Sequence, residues 1–377
     1  MAGKLLPVDS LHLSYVLTPT SQQRLNEWDD AVPTEPPLQP MRWHVALQRY
    51  LRSATVSGST QIEGNPLTLT EVDALLRGDS VDAPRLAQLE VINYNHALEL
   101  ATSLALTPTF TWGESDIRVL NHQVLRDLPE DRQGRYREEP VVVTNFFHPP
   151  EHQHIPGLMR ELVEWLRNDT DHPLIRVSLL HLNIAAIHPF LDGNGRTARV
   201  ASSLEIMRAG IGASELIIVE PYLAEHRDEY FGMLRETLGE TYSPDRHVAT
   251  PWVNYSIGLY ADRLGFDRRM RSAWPLDLGT LADAVSSAGH PAEWAQILLV
   301  AAIQPLRTRW VAQFMNRSMP TARNMLNAMR DAGWLRPSGQ TRARFYRPGP
   351  RLDAIVLRTP DIVDRYVRGQ TLGLDVD

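Results

Sequence analysis

Apolar residues recur at helical spacing along most of this chain, which restricts it to a mainly α-helical architecture. The spacing predicts helices over 83–104, 113–125, 157–168, 172–187, 195–209, 222–238 and 251–264. An earlier helix, about 43–64, runs from Trp43 towards Glu63. Gly64-Asn65-Pro66 stops it, a glycine and a proline where a C-terminus wants them. Thr68 opens the next helix as a cap, with Glu71 three residues on to complete a capping box. One run breaks the pattern. Val141-Val142-Val143-Thr144-Asn145-Phe146-Phe147 is β-branched and aromatic and ends at His148-Pro149-Pro150, so it reads as a short β-hairpin arm.

Composition narrows the chemistry. The 377 residues include no cysteine, which removes disulfides, thiolate nucleophiles and cysteine zinc sites. Lys4 is the only lysine, so phosphate chemistry beyond it falls to arginines, backbone N–H groups or a metal. No apolar run approaches the ~18 residues of a membrane span, and the N-terminus lacks the apolar centre of a signal peptide. The expectation is a cytoplasmic protein with no membrane partner. The formal charge of −7 is unevenly spread, because 305–351 holds ten arginines against Asp331 alone. A basic module is attached to an acidic body. Pro275, Gly279, paired serines and Gly289 mark a linker over 271–289.

The most informative segment is His188-Pro189-Phe190-Leu191-Asp192-Gly193-Asn194-Gly195-Arg196-Thr197-Ala198-Arg199. It reads as a loop feeding a helix. Glycines flank Asn194, and such a turn points successive N–H groups inward as an anion nest. The helix beginning near Gly195 adds its positive end. Arg196 and Arg199 are three residues apart, on one side of that helix, and both can reach phosphate oxygens. Asp192 is a hard oxygen ligand suited to Mg²⁺ held between phosphates. His188 closes the far end of the loop, placed to take a proton from an incoming hydroxyl. Each feature alone has an ordinary explanation: a turn, a helix end with a buried aromatic, a solvated arginine face. Their joint occurrence within twelve residues, in a workable order, points to chemistry.

This segment resembles the Fic family signature, His-x-Phe-x-(Asp/Glu)-Gly-Asn-Gly-Arg-x-x-Arg, at all eight specified positions. The likeness extends to Gly134-Arg135-Tyr136-Arg137, the arm from Val141 to Pro150, the helix over 156–166 and Arg227-Asp228-Glu229-Tyr230. It covers about residues 40–265. The resemblance implies a helical Fic core with a β-hairpin flap. It also implies a protein adenylyltransferase that moves AMP from ATP to a Ser, Thr or Tyr hydroxyl of a target protein or of itself, releasing pyrophosphate. His188 is then the base. Gly193, Asn194 and Gly195 cradle the phosphates, Asp192 holds Mg²⁺, and Arg196 and Arg199 contact the outer phosphates. Phe190 anchors the loop in the core. Tyr230 is placed on the adenine side, although many relatives carry two tyrosines where this chain has Tyr230-Phe231. Val143, Thr144 and Asn145 of the flap are expected to dock an extended target segment by strand addition. An ordinary surface hairpin is the alternative. His148, His152 and His154 lie nearby without a clear fourth ligand, which argues against zinc.

Ser59-Thr60-Gln61-Ile62-Glu63-Gly64 resembles the family's inhibitory motif, (Ser/Thr)-x-x-x-Glu-(Gly/Asn). The resemblance implies that Glu63, with Ser59 and Gly64, engages Arg199 and withholds it from the γ-phosphate. The plain alternative for Glu63 is a surface carboxylate at a helix end. Beyond the Fic core, helices over 294–303, 308–315 and 321–332 precede strand-like Gly333-Trp334-Leu335 and Arg344-Phe345-Tyr346. Ser318 caps the third helix and Pro320 sits in its first turn. The arrangement resembles a winged helix-turn-helix. Arg323, Arg330, Arg342, Arg344 and Arg347 suit DNA phosphates, while protein contact or a homodimer is the alternative use. The expected organisation is an N-terminal helical region 1–112, a catalytic core 113–270, a winged domain 285–350 and a tail 351–377. Two other readings stay open: a DNA-binding regulator with a nucleotide-sensing Fic core, and an enzyme that removes AMP. The intact His188, which a pure sensor does not need, favours an enzyme.

Overall fold

The computed structural model describes residues 10–31, 42–129, 133–144, 146–209, 217–339 and 344–370. The first half comprises α1 (Pro19–Ala31), α2 (Arg42–Ile62), α3 (Leu69–Leu76), α4 (Arg85–Ala105) and α5 (Glu114–Leu125). A 3₁₀ turn at His152–His154 leads into α6 (Ile155–Asn168), followed by α7 (Pro173–Ile187) and α8 (Asn194–Arg208). Next come α9 (Glu220–Glu225), α10 (Arg227–Leu238), α11 (Thr250–Ser287), α12 (Trp294–Ile303), α13 (Thr308–Phe314) and α14 (Met319–Asp331). Strands β1 (Leu335–Ser338) and β2 (Phe345–Pro348) precede α15 (Pro350–Asp353) and α16 (Thr359–Val367). No described helix is long and apolar enough to cross a membrane.

Local signals set many of these ends. Thr68 Oγ1 accepts from the Glu71 N–H, and Glu71 returns its carboxylate to the Thr68 N–H at 2.8 Å, the capping box read in the sequence. Ser318 caps α14, with Pro320 in its first turn. The helix expected over 222–238 is divided at His226 into α9 and α10. Arg227 at the start of α10 donates to the Ile62 carbonyl at 2.8 Å, fastening the end of α2.

Helix α7 is buried on nearly every side, as its continuous apolar composition requires, so it lies at the centre. One apolar cluster joins α4, α5, α6 and parts of α7 and α8. A second joins α1, the other face of α7, α10 and the first half of α11. The third unites Leu47, Leu51 and Ala54 of α2 with Phe266, Trp274 and Leu281 of α11 and with α12 to α16.

That third cluster corrects three expectations. Residues 271–289 are not a linker: α11 continues through Pro275 to Ser287. Proline removes one helical hydrogen bond, but Met270, Trp274, Leu281 and Val285 bury a face on both sides of it. Residues 351–377 are not a tail as far as they are described, for Leu352, Val363 and Tyr366 are buried and Tyr366 stacks on Phe266 at 3.6 Å. Asp277 of α11 accepts from the backbone N–H groups of Arg358 and Thr359, capping α16. The third correction concerns 1–112 and 285–350, which share a core through α2 and are not separate units.

The arm is shorter than its composition predicts. Val143 and Phe147 exchange backbone bonds in a single antiparallel bridge, with Thr144 at φ +51° in the turn. Pro140, Pro149 and Pro150 flank it and supply no N–H for a longer ladder. Asn145 lies outside the described residues, as does Arg342. At the C-terminal unit, β1 and β2 pair antiparallel from Leu335↔Pro348 to Ser338↔Phe345, and Leu306 bridges Tyr346.

One close approach ties α2 to α9. A Cβ at Gly58 would lie 2.6 Å from the Glu220 backbone, which cannot swing aside as a side chain can. Gly58→Ala is therefore expected to cost about 1–3 kcal/mol through overpacking, read from the midpoint of urea unfolding.

Candidate active site

The site forms where α7 ends and α8 begins. His188 terminates α7 in the left-handed region at φ 47°, ψ 59°. Gly193 caps α8 at φ 77°, where a non-glycine residue would be strained. Between them Asn194 clamps the loop, accepting from the Phe190 N–H at 3.0 Å and donating to the Phe190 carbonyl at 2.8 Å. Phe190 is buried against Tyr136 and anchors the loop in the core.

Two residues without an assigned role in the sequence reading hold this loop. Arg137 is buried and donates to the carbonyls of His188 at 2.9 Å, Glu139 at 3.0 Å and Pro150 at 2.5 Å, joining the loop to the base of the flap. Asn121, fully buried on α5, donates to the Asp192 carbonyl at 3.0 Å and accepts from the Gly134 N–H at 2.9 Å. Its signal was an amide on the apolar face made by Ile117, Leu120 and Val124. Asn121→Ala leaves both backbone groups without a partner and is expected to cost about 1–3 kcal/mol, measured by urea or thermal unfolding.

The His188 ring is oriented by Nδ1, 3.3 Å from the Ala185 carbonyl oxygen. A carbonyl only accepts, so Nδ1 carries the proton and Nε2 keeps its lone pair. Burial pushes the His188 pKa down to about 4; Arg137 acts in the same direction, while the Ala185 carbonyl, Glu63 and Asp192 oppose it. The imidazole is thus a neutral base at pH 7.

Arg196 and Arg199 are both buried on the first turns of α8. Arg196 Nη2 lies 3.1 Å from both carboxylate oxygens of Asp192. Arg199 donates to Ser59 Oγ at 2.8 Å, to the Ser59 carbonyl at 3.1 Å and to Glu63 Oε1 at 2.7 Å. Arg196 Nε and Nη1 and Arg199 Nη1 have no hydrogen-bond partner among the described residues. Arg196 Nη1 does lie 3.8 Å from Glu90 Oε1, an ion pair too long for a hydrogen bond, and buried guanidinium donors without hydrogen bonds beside a helix N-terminus suit an anion.

Glu63 already occupies part of that position. A Cβ at Gly195 would lie 2.6 Å from Glu63 Oε1, so the carboxylate rests on the first turn of α8. Burial works against its ionisation, but Arg199, then Arg196 and Arg227, outweigh it and hold its pKa below the ordinary carboxylate value. Gly64 takes φ +95° and ends α2 immediately afterwards.

Ser59, Glu63, His188, Asp192, Gly193, Asn194, Gly195, Arg196 and Arg199 are thus brought together. Tyr230 sits deeper. It is buried, with its hydroxyl 2.9 Å from His181 Nε2, and the partly exposed Phe231 packs beside it. Val143 is half-buried and Thr144 exposed at the flap. Among the described residues no group of three or more His, Asp or Glu is arranged to hold a metal. A single half-exposed carboxylate, Asp192, beside unpaired phosphate donors fits Mg²⁺, which keeps water and phosphate ligands and needs few from protein.

A histidine beside an anion cradle at a helix N-terminus is what the structure presents. Residues 110–205 match the Fic/DOC family model. It is 31% identical over 214 residues to protein adenylyltransferase fic-1 of Caenorhabditis elegans, covering 54% of this chain and 41% of that protein. It is 32% identical over 161 residues to protein adenylyltransferase Fic of Nematostella vectensis, covering 40% of this chain and 36% of that protein. The chain therefore spans about two fifths of the length of these curated relatives. A Fic family protein from Desulfovibrio desulfuricans G20 superposes with TM-score 0.61 at 24% identity, covering 89% of this chain and 98% of that one. A Fic domain containing signaling protein from Bacteroides thetaiotaomicron superposes with TM-score 0.54 at 26% identity, covering 65% and 95%.

Proposed function

We propose that this chain is a protein adenylyltransferase restrained by its own Glu63. The observation that carries the reading is a neutral, Nδ1-tethered His188 at one end of the loop and, at its other end, two buried arginines with donors that have no hydrogen bond. Relatives named protein adenylyltransferase support the same reaction.

ATP lies with its phosphates on the N–H groups of Gly193, Asn194 and Gly195, where Arg196 and Arg199 neutralise charge. Asp192 would hold Mg²⁺, which would supply further charge neutralisation. His188 Nε2 accepts the proton of a Ser, Thr or Tyr hydroxyl on a target protein or on the chain itself. The hydroxyl oxygen bonds to the α-phosphorus, the bond from that phosphorus to the bridging oxygen breaks, and pyrophosphate leaves with the electron pair. Val143 and Thr144 flank the entry and hold an extended target segment. With Glu63 on Arg199, the outer phosphates lose one partner and the α-phosphorus is misaligned.

Removal of AMP is a second reading of the same site, because the Glu63 carboxylate lies close enough to influence His188 and is suited to orient a water. A DNA-binding regulator is the reading from another class, resting on the three helices and two strands of the C-terminal unit as a winged helix. The deciding experiment is label transfer from α-labelled ATP in whole lysate by Glu63→Gly, with His188→Ala as control. Transfer that depends on His188 supports the proposal. Salt-dependent DNA binding with no transfer favours the regulator, and loss of AMP from a pre-modified target favours removal.

A further inference from the structure

A cleft of about 880 Å³ lies between α2–α3 and the C-terminal unit, apart from the His188 site. Six arginines line it: Arg49, Arg77, Arg307, Arg309, Arg323 and Arg344. They come from α2, the end of α3, both sides of the α13 start, α14 and the residue before β2, so they converge by folding and not by adjacency. Two are already compensated, Arg77 by Asp73 and Arg307 by Asp79 at 2.6 Å. Arg49, Arg309, Arg323 and Arg344 have no ion-pair partner among the described residues, and Asp79 is the one carboxylate on the lining.

Four uncompensated guanidiniums facing one space repel each other. The Arg49 pKa lies below its ordinary value, chiefly through desolvation, with Arg77 and Arg309 adding to the effect and Asp73 opposing it. Gln313 and Asn327 add amide groups, while Trp310 and Tyr346, both largely buried, give a rigid floor. The cleft is dominated by donors, and its natural complement is a ligand rich in acceptors and negative charge. Its volume is that of a small-molecule pocket, roughly 300–1,000 Å³. One wall belongs to α2 and α3, so the exposed Arg323 and the half-buried Asn327 of α14 line a walled cleft and not an open helix face. This favours a compact polyanion over a nucleic-acid duplex.

We propose that this cleft binds a small polyphosphate, free or as the phosphate chain of a nucleotide, at a site distinct from the one that holds the substrate ATP. Arg49 stands fourteen residues before Glu63, about 21 Å along the helical rise. The bound anion bridges α2 to the C-terminal unit and clamps the two together. The site stands on its own residues, whether or not the chain transfers AMP.

The test is calorimetric titration and thermal unfolding of the full chain with inorganic tripolyphosphate at physiological ionic strength. The expected result is saturable binding with a raised Tm. In the Arg309→Ala/Arg323→Ala double variant the Kd should rise at least about tenfold, with unfolding in the absence of ligand unchanged because both side chains are exposed and unpaired. Arg196→Ala should leave this binding intact, and an Arg336→Ala control outside the cleft should behave as wild type. ATP or ADP binding more tightly than tripolyphosphate through the same two arginines would identify the nucleotide as the source. Equal affinity would show that the phosphate chain alone is read. The proposal is overturned if the double variant binds like wild type, if Arg196→Ala abolishes the binding, or if tripolyphosphate binds no better than sulfate. It is also overturned if a DNA duplex binds more tightly than any of these anions and depends on Arg309 and Arg323.

Discussion

Replacing Glu63 with glycine should raise label transfer from α-labelled ATP by about a hundredfold, the scale associated with one well-placed donor to a charged transition state. In the restrained state Arg199 spends Nη2 on Glu63 and Nε on Ser59, leaving Nη1 alone for a phosphate. Glycine frees the Nη2 N–H that Glu63 holds, the other staying on the Ser59 carbonyl, and clears a carboxylate from the first turn of α8, where it repels the incoming phosphates. Helix α2 has reason to stay in place, since Arg227 still holds the Ile62 carbonyl and Ser59 still meets Arg199. The gain should therefore appear mainly in kcat, with ATP affinity changing less. Glu63→Gln keeps a hydrogen-bond acceptor without the charge and should fall between wild type and glycine. Ser59→Ala removes one neutral contact and should release only several-fold. Equal transfer by wild type and Glu63→Gly, in a preparation whose His188→Ala version is silent, would remove Glu63 from the role of brake.

The two halves of that contact were unequally legible in the sequence. The chemistry from His188 to Arg199 is local: one loop and one helix turn carry base, nest, arginines and carboxylate, so residue types and spacing suffice. Arg199 and Glu63 are 136 positions apart, and only the motif around Ser59 and Glu63 linked them before the structure did. Local reasoning failed where burial overrides it. Pro275 and Gly279 are breakers by type, yet Trp274, Leu281 and Val285 keep α11 continuous through them. The segment after 350 shows no local mark of where it packs, since its order comes from Tyr366 stacking on Phe266 and from Asp277 capping α16, partners far away in sequence. Asn121 and Arg137 went unassigned for a related reason: what they satisfy is backbone on other segments, which no periodicity reveals. The excess of arginine over 305–351 was plain from composition. That Arg49 and Arg77 complete its cleft was not, because it follows from α2 and α3 packing against the C-terminal unit.

His188→Ala should lower transfer about 10²–10⁴-fold, the range for a positioned general base, and do so in the Glu63→Gly background where the basal signal is large. ATP binding should persist, because the phosphate donors of α8 do not depend on the ring. The pH profile separates a base from a structural residue. A depressed pKa means that the unprotonated ring persists as pH falls, so kcat/KM, which reports the free enzyme, should stay flat from about pH 8 to about pH 5. The acid limb should be centred near 4, where the buried ring finally takes a proton. Glu63 is among the groups that raise this pKa, so its removal should move the limb slightly lower and not higher. An imidazole in ordinary surroundings would give a limb near about 6.5. A limb there would mean that His188 is not desolvated as the loop places it, and the neutral-base reading would fall with it. Arg137 offers an internal check, since its guanidinium also lowers the His188 pKa and fixes the loop through the His188 carbonyl. Arg137→Met should therefore shift the limb upward while reducing kcat, a pairing that simple loss of stability does not produce.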